Sequence, residues 1–190
     1  MAGLIESARL VAEVKPLVDY RIDFVAFNLE EPPFFATPDM GSYQYAKWLK
    51  SIDANVIGLI NYEMIGYFHD GPQPYPAGLG ELAASYPRQA NFIGVVGIPK
   101  YSEFNTKVFE LMSNGANIDV QMIDDPRIEQ LAGMSDQRSF WEFGIPALMI
   151  NDTSFIRNPH YHMSSDKMKT LSFDHMAEVV TCAHRAITGF

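Results

Sequence analysis

Two adjacent carboxylates, Glu30 and Glu31, end an apolar run, and their apparent partners, Glu63 and the pair Tyr161-His162, lie far downstream. Carboxylate and imidazole groups are ligands that zinc accepts in proteins. Beside a metal, one carboxylate can bind the ion while its neighbour takes a proton from the bound water, which supplies a nucleophile near neutral pH. These side chains could therefore form one half of a metal site for hydrolysis. A Glu-Glu pair on its own is also typical of an exposed turn.

Composition restricts which ligands and partners are available to the chain. The single cysteine, Cys182, excludes an intrachain disulfide and a cysteine-rich zinc site, so any metal must be bound by histidine and carboxylate. The 190 residues include 14 basic and 23 acidic side chains, a net charge of -9, and the basic residues are scattered along the sequence. We therefore expect no nucleic-acid partner. No run of about 18 apolar residues is present, so we expect no membrane span.

Helical and extended patterns alternate along the chain and predict the elements that must position these residues. Serine caps and glycine or proline stops place helices over residues 2–14, 42–49, 102–115, 135–144 and 173–187. Buried strands are predicted at residues 24–27, 55–61, 92–96, 118–123 and 146–150. The glycine- and proline-rich residues 66–87 are predicted to form a long loop at a pocket wall.

This alternation predicts a single α/β domain over residues 1–190, a largely parallel mixed sheet with helices on both faces. Ligands of such sheets usually bind at the carboxyl ends of the strands. Glu30, Glu31 and Glu63 follow predicted strands, and Tyr161-His162 lies in the segment after the last one. We expect all five side chains to converge in one pocket at that edge.

Six short motifs, taken in order, resemble the co-catalytic zinc aminopeptidases of the twenty-eighth metallopeptidase family, which includes bacterial leucyl aminopeptidases and aminopeptidase Y. The motifs are Phe27-Asn-Leu-Glu-Glu31, Gly41-Ser42, Asn61-Tyr-Glu-Met-Ile-Gly66, Ser135-Asp136, Phe143-Gly-Ile-Pro-Ala147 and Asn158-Pro-His-Tyr-His162. Each motif alone is a weak indication of the family. Together, the motifs extend over almost the whole chain in the order and spacing of the family. The resemblance implies a zinc-exopeptidase fold, a three-layer sandwich, and hydrolysis of N-terminal residues from peptides.

The resemblance also implies a role for each site residue. Glu30 matches the general base, Glu31 a ligand of one zinc, and Glu63 a ligand of the other. His162 matches the histidine that shares a zinc with Glu31, and Tyr161 the phenol that stabilises the tetrahedral oxyanion.

Two further residues are predicted to support the pocket. Asp136 is expected to act near the pocket, although Gln137 follows it where many relatives have histidine. Arg157 is a candidate partner for a substrate carboxylate, although an exposed arginine beside the motif needs no such role.

The sequence departs from the family where a His-x-Asp motif and a following Asp-Asn should supply a histidine ligand and the carboxylate that bridges both metals. Neither motif is present in residues 1–190. We therefore expect a chain truncated at its N-terminus, which holds one zinc weakly or none instead of the family's two. An exposed N-terminal edge and the uncapped first helix predict a homo-oligomer.

Two other functions remain open beside the peptidase. One is a glutaminyl-cyclase-like acyltransferase on the same fold. The other is a non-catalytic binding protein that has kept the scaffold with a degenerate metal site.

Overall fold

A computed structural model describes residues 1–190 and contains eight α-helices and four β-strands. The helices are α1 (Ala2–Val14), α2 (Gly41–Ser51), α3 (Gly80–Ala83), α4 (Ser102–Ser113), α5 (Glu129–Ala132), α6 (Gln137–Glu142), α7 (Ser154–Arg157) and α8 (Phe173–Ile187). The strands are β1 (Leu59–Glu63), β2 (Phe92–Val96), β3 (Asp119–Ile123) and β4 (Ala147–Asn151). The mixed α/β architecture predicted from the sequence is confirmed.

The four strands form one mixed sheet in the order β1-β4-β2-β3. The pairs β1–β4 and β2–β3 are parallel, whereas β2 runs antiparallel to β4. Glu63 and Asn151 are register partners, so β1 and β4 end side by side at the same edge. Residues that follow these two strands consequently emerge next to each other.

Successive side chains of a strand point to opposite faces, so each face collects its own set of residues. One face carries Ile93, Val95, Leu148 and Ile150, and it forms the main core with helices α1, α4 and α8. The other face carries Val96 and Met149, which pack against Leu82, Ile128 and Ala132. Asn61 and Glu63 are two residues apart on β1, so both point towards this second face.

The predicted strand at residues 24–27 is wrong. No backbone N–H or C=O group of residues 18–27 forms a hydrogen bond to another backbone group, although Phe24, Val25 and Phe27 are apolar and only partly exposed. A strand requires a neighbouring strand as hydrogen-bonding partner, and residues 1–190 provide none here.

The prediction that Ser42, Ser102 and Ser135 cap helices is wrong. No side chain forms a capping hydrogen bond at the start of α2, α4 or α6. The hydroxyl of Ser42 instead shares a buried hydrogen bond of 3.0 Å with that of Ser139 and so joins α2 to α6. Ser135 donates to Glu63, and α6 begins two residues later. Both glycines predicted to end helices have a positive φ: 66° at Gly115 and 76° at Gly144.

None of the helices combines the length and the apolar character that a bilayer-spanning helix requires.

Candidate active site

The five side chains predicted to converge, Glu30, Glu31, Glu63, Tyr161 and His162, line one cavity of about 320 Å³. The cavity begins where β1 and β4 end and extends over the sheet face that carries Val96 and Met149. The structure therefore brings together residues that are up to 132 positions apart in the sequence, from Glu30 to His162.

His162 and Glu31 are in direct contact, because Nε2 of His162 lies 3.2 Å from Oε1 of Glu31. The ring of Tyr161 stacks on that of His162 with 3.9 Å between centroids and 14° between planes. This stacking fixes the orientation of the phenol relative to the imidazole. Both side chains of the Glu31–His162 pair are more than half exposed, so the pair is open to a ligand from solvent.

Glu63 is held by a chain of hydrogen bonds from the second face of the sheet. Asn61 Nδ2 donates to Ser135 Oγ at 3.1 Å, and Ser135 Oγ donates to Glu63 Oε2 at 2.6 Å. Because Asn61 uses a lone pair of the hydroxyl, the one hydroxyl hydrogen is directed to Glu63. Asn61 itself is oriented by a second donation to Gln137 Oε1 at 3.0 Å. Sequence reasoning missed this role of Ser135, since the position is also typical of a helix cap.

Glu30 lies in the most acidic surroundings of the site. Burial raises its pKa to about 7, and repulsion from Glu63, Asp136 and Glu31 acts in the same direction. A carboxyl group with a pKa near neutrality can both accept and return a proton at neutral pH. Asp136, predicted to support the pocket, is thus near enough to act on Glu30 and Glu63, and burial raises its own pKa.

The pKa of the Tyr161 phenol is raised by burial and by the same cluster of carboxylates. Burial raises its pKa, and the negative charges of Glu31, Glu63 and Glu30 raise it further. The phenol therefore keeps its proton and remains a hydrogen-bond donor around neutral pH.

The ligand set for zinc is only partly present. Two ligands on a tetrahedral zinc with bonds of about 2.0–2.2 Å lie roughly 3.3 Å apart, which matches the distance between Glu31 and His162. However, no group of three histidine, cysteine or acidic residues is arranged to bind one metal ion. Glu63 is instead engaged by Ser135. Residues 1–190 thus offer a zinc-compatible pair but not the three protein ligands that a catalytic zinc usually has.

Arg157 does not lie where a substrate carboxylate could meet it. It was expected to be exposed, but it is only 3% exposed and does not line the cavity. Its Nε donates to Gln73 Oε1 at 2.7 Å and its Nη1 to the carbonyl oxygen of Phe92 at 2.9 Å. Burial lowers its pKa to about 10, which leaves the guanidinium charged at neutral pH.

The remaining wall of the cavity is mostly apolar. Fourteen of its 23 lining residues are hydrophobic, among them Leu82, Val96, Ile128, Leu131, Met149 and Phe155. Part of this wall comes from residues 66–87, which contribute Gln73, Tyr75, Leu79, Leu82 and Tyr86. The prediction of a continuous loop here is wrong at α3, which forms within this segment and contains Leu82. No lysine or arginine lines the cavity, whereas four carboxylates do: Glu30, Glu31, Glu63 and Asp166.

Residues 1–187 match Peptidase family M28. The chain belongs to this family. The resemblance inferred from the six motifs is therefore confirmed.

The chain is similar to the Escherichia coli K12 protein YfbL, with 35% identity over 184 residues, which are 95% of this chain and 54% of YfbL. An aminopeptidase from Aneurinibacillus sp. strain AM-1 is 20% identical, with a TM-score of 0.64 over 98% of this chain and 37% of that one. The glutaminyl cyclase of Bacteroides thetaiotaomicron is 16% identical, with a TM-score of 0.58 over 99% of this chain and 60% of that one. The structural matches show a shared fold, and the chain spans about half the length of the curated relative that it matches.

Proposed function

We propose that this chain carries the substrate cavity and part of the catalytic apparatus of a zinc aminopeptidase that removes apolar N-terminal residues from peptides. The observation that supports this most directly is the cavity itself, which combines clustered carboxylates with an apolar wall and contains no lysine or arginine. The α-ammonium of a peptide fits such surroundings. A C-terminal carboxylate would be repelled there, and Arg157, the one arginine considered as its partner, is buried elsewhere.

The protein groups divide the proton transfers of amide hydrolysis between them. Glu30, with its pKa raised to about 7, takes the proton from the attacking water and passes it to the leaving amine. Tyr161 donates a hydrogen bond to the oxygen that becomes negative in the tetrahedral intermediate. Ser135 keeps the Glu63 carboxylate in place beside them.

Zinc enters this proposal only through the Glu31–His162 pair, whose spacing fits two ligands of one ion. A bound zinc would polarise the scissile carbonyl and lower the pKa of water. Its other ligands are not among the groups assembled by residues 1–190.

The glutaminyl-cyclase alternative has weaker support in the cavity. A glutaminyl side chain ends in an amide that needs polar partners, but the cavity amides Gln73 and Asn151 are already bonded to protein groups. An aliphatic or aromatic side chain needs no such partner.

Binding measurements test the proposal independently of turnover. L-leucinamide offers an ammonium and an apolar side chain. N-acetyl-leucinamide keeps the side chain but lacks the ammonium, and N-acetyl-leucine has a carboxylate as its only charged group. Calorimetry should show the tightest binding for leucinamide, at least tenfold weaker binding for the acetylated amide, and none for N-acetyl-leucine. Glutaminamide binding as tightly as leucinamide would instead favour the cyclase, and tight binding of N-acetyl-leucine would contradict the aminopeptidase direction.

A further inference from the structure

The non-glycine residues with a left-handed backbone are concentrated at the cavity. Eight such residues exist in the chain, and four of them line the cavity: Met64 (φ 48°), Thr153 (φ 73°), Ser154 (φ 46°) and His162 (φ 55°). A fifth, Leu29 with φ 59°, directly precedes Glu30. This conformation is unfavourable for residues with a Cβ atom, and it persists only where the surroundings enforce it.

The surroundings that enforce it centre on the buried carboxylate of Asp152, which is 1% exposed. Its Oδ2 accepts hydrogen bonds from the amides of Gly66 at 2.9 Å and Tyr67 at 2.8 Å, and its Oδ1 accepts from the amide of Ser154 at 3.0 Å. Its own amide donates to the carbonyl oxygen of Met64 at 2.8 Å. One residue thus joins the turn after β1 to the turn after β4.

Arg157 and Gln73 hold the second of these turns from the other side. Gln73 accepts from Arg157 Nε at 2.7 Å and donates from its Nε2 to Thr153 Oγ1 at 3.0 Å. The guanidinium lies 4.5 Å from the ring centre of Phe92 and is anchored to the carbonyl oxygen of that residue. The left-handed residue Thr153 is therefore tied to the sheet through two buried side chains.

The restraint continues from this turn to the Tyr161-His162 pair. The amide of Asn158 donates to the carbonyl oxygen of Ser154 at 2.8 Å, and the amide of Tyr161 donates to the carbonyl oxygen of Asn158 at 3.2 Å. The side chain of Asn158 is buried and accepts from the amide of His160 at 2.9 Å. Hydrogen bonds thus connect Asp152, through Ser154 and Asn158, to the backbone of Tyr161.

We propose that Asp152, Arg157 and Gln73 are positioning residues that hold the strained turns at Met64 and Thr153–Ser154, and through them Tyr161 and His162, in the geometry of the cavity. A purely structural role would not need two buried charges, since apolar side chains fill such space at lower cost. It would also not concentrate backbone strain at the cavity wall. The choice of leucinamide as the ligand for the binding test rests on the proposed aminopeptidase function, whereas the positioning role itself does not.

Hydrogen exchange on the whole chain provides the first test, with no ligand required. Asp152→Asn keeps an oxygen for the amides of Gly66 and Tyr67 but places an NH2 group against the amide of Ser154. We expect amide exchange in residues 153–162 to rise at least tenfold, while exchange in β2 stays at the parent rate. Arg157→Met should act in the same direction and Arg157→Lys less strongly. An equal rise throughout the chain would reduce these residues to general stabilisers and overturn the proposal.

The second test separates positioning from stability by relieving the strain. Ser154→Gly permits the left-handed backbone, and Ser154→Ala is the matched variant that removes the same hydroxyl without doing so. Glycine also permits many other backbone conformations, so the turn is no longer fixed in the geometry of the cavity. We therefore expect Ser154→Gly to melt no lower than Ser154→Ala and yet to bind leucinamide at least fivefold more weakly. Asp53→Gly relieves similar strain (φ 51°) outside the cavity and should bind like the parent.

The two tests have distinguishable outcomes. Equal leucinamide affinity of the two Ser154 variants would contradict the positioning role. Failure of the parent chain to bind leucinamide would count against the proposed function, and the exchange rates in residues 153–162 would still decide whether Asp152 and Arg157 position that segment.

Discussion

His162 Nε2 lies 3.2 Å from Glu31 Oε1 although the two residues are 131 positions apart in the chain. β1 and β4 end side by side, so the segment after β4 begins next to the end of β1, and Glu31 and His162 both line the cavity at this edge. It places one imidazole and one carboxylate at a separation that suits a shared zinc ion. No third ligand group joins them.

The first prediction is that this chain alone carries less than one tightly held zinc and has little aminopeptidase activity. Loss of even an outer-shell partner typically lowers metal affinity or activity about 10–100-fold, so a missing ligand should have at least that effect. Mass spectrometry of the native protein and hydrolysis of leucyl anilide measure the two quantities.

Variants at the pair locate any weak zinc binding that remains. His162→Ala and Glu31→Gln should each reduce it, whereas His160→Ala, two residues away and bonded to Ser165, should leave it unchanged. Two zinc ions per chain together with rapid turnover would contradict the prediction and show that ligands were overlooked.

The second prediction concerns Glu30, whose pKa is raised from 4.5 to about 7. A carboxyl group with a higher pKa in the folded state favours folding while it is protonated, and this contribution is lost as the pH rises from about 4.5 through 7. Because the side chain is only half buried, solvent screening limits the effect to the order of 1 kcal/mol.

Glu30→Gln should therefore increase the free energy of unfolding at pH 8 and reduce its decline between pH 4.5 and 7. Urea titrations at several pH values measure this, with Glu103→Gln, an exposed carboxylate on α4, as the control. A pH dependence identical to that of the parent would show that Glu30 titrates in its ordinary range.

The third prediction concerns the hydrogen bond from Ser135 to Glu63. Ser135→Ala should lower the free energy of unfolding by about 1–3 kcal/mol, because a largely buried carboxylate loses its donor and Asn61 loses an acceptor. It should also raise the pKa of Glu63, since the bond from Ser135 opposes the effect of burial.

Ser113→Ala is the matched control, since the buried hydroxyl of Ser113 has no hydrogen-bond partner. Combining Ser135→Ala with Glu63→Met should cost less than the sum of the two single changes, because each variant removes the same hydrogen bond. Simple additivity would mean that Glu63 does not depend on Ser135.

The sequence predicted most of the elements because their signals are local. α8 was predicted with the observed bounds, and so was β2, because amphipathic periodicity and continuous apolar residues are properties of a short window. The convergence of Glu63 and Tyr161 could be expected for a related reason, since residues that follow neighbouring strands meet at one edge. Glu30 reaches the same cavity without the strand that was predicted before it.

Features that depend on distant residues could not be predicted in this way. The antiparallel pairing of β2 with β4 is a long-range choice that neither strand encodes alone. Arg157 was expected to be exposed because nothing near it in sequence shows that Gln73 and the carbonyl of Phe92 will enclose it. Ser135 resembled a helix cap, since a serine before a helix looks the same whether its hydroxyl bonds the backbone or a distant carboxylate.

The last prediction is that the chain associates with itself through its N-terminal region. The backbone of residues 18–27 has no backbone partner, and the nearby helix α1 and the turn after it expose Ile5, Val14 and Leu17 at 63%, 60% and 104%. Unpaired extended backbone beside exposed apolar side chains readily pairs with another chain.

We expect light scattering across a dilution series to show dimers or larger species at tens of micromolar, and Ile5→Lys together with Leu17→Lys to shift them towards monomer. Met168→Lys introduces the same charge at a side chain that is 73% exposed in another part of the chain and should leave the assembly unchanged. A parent chain that stays monomeric over this range would show that residues 18–27 are stable without a partner strand, and equal dissociation by all variants would point to a general effect of charge.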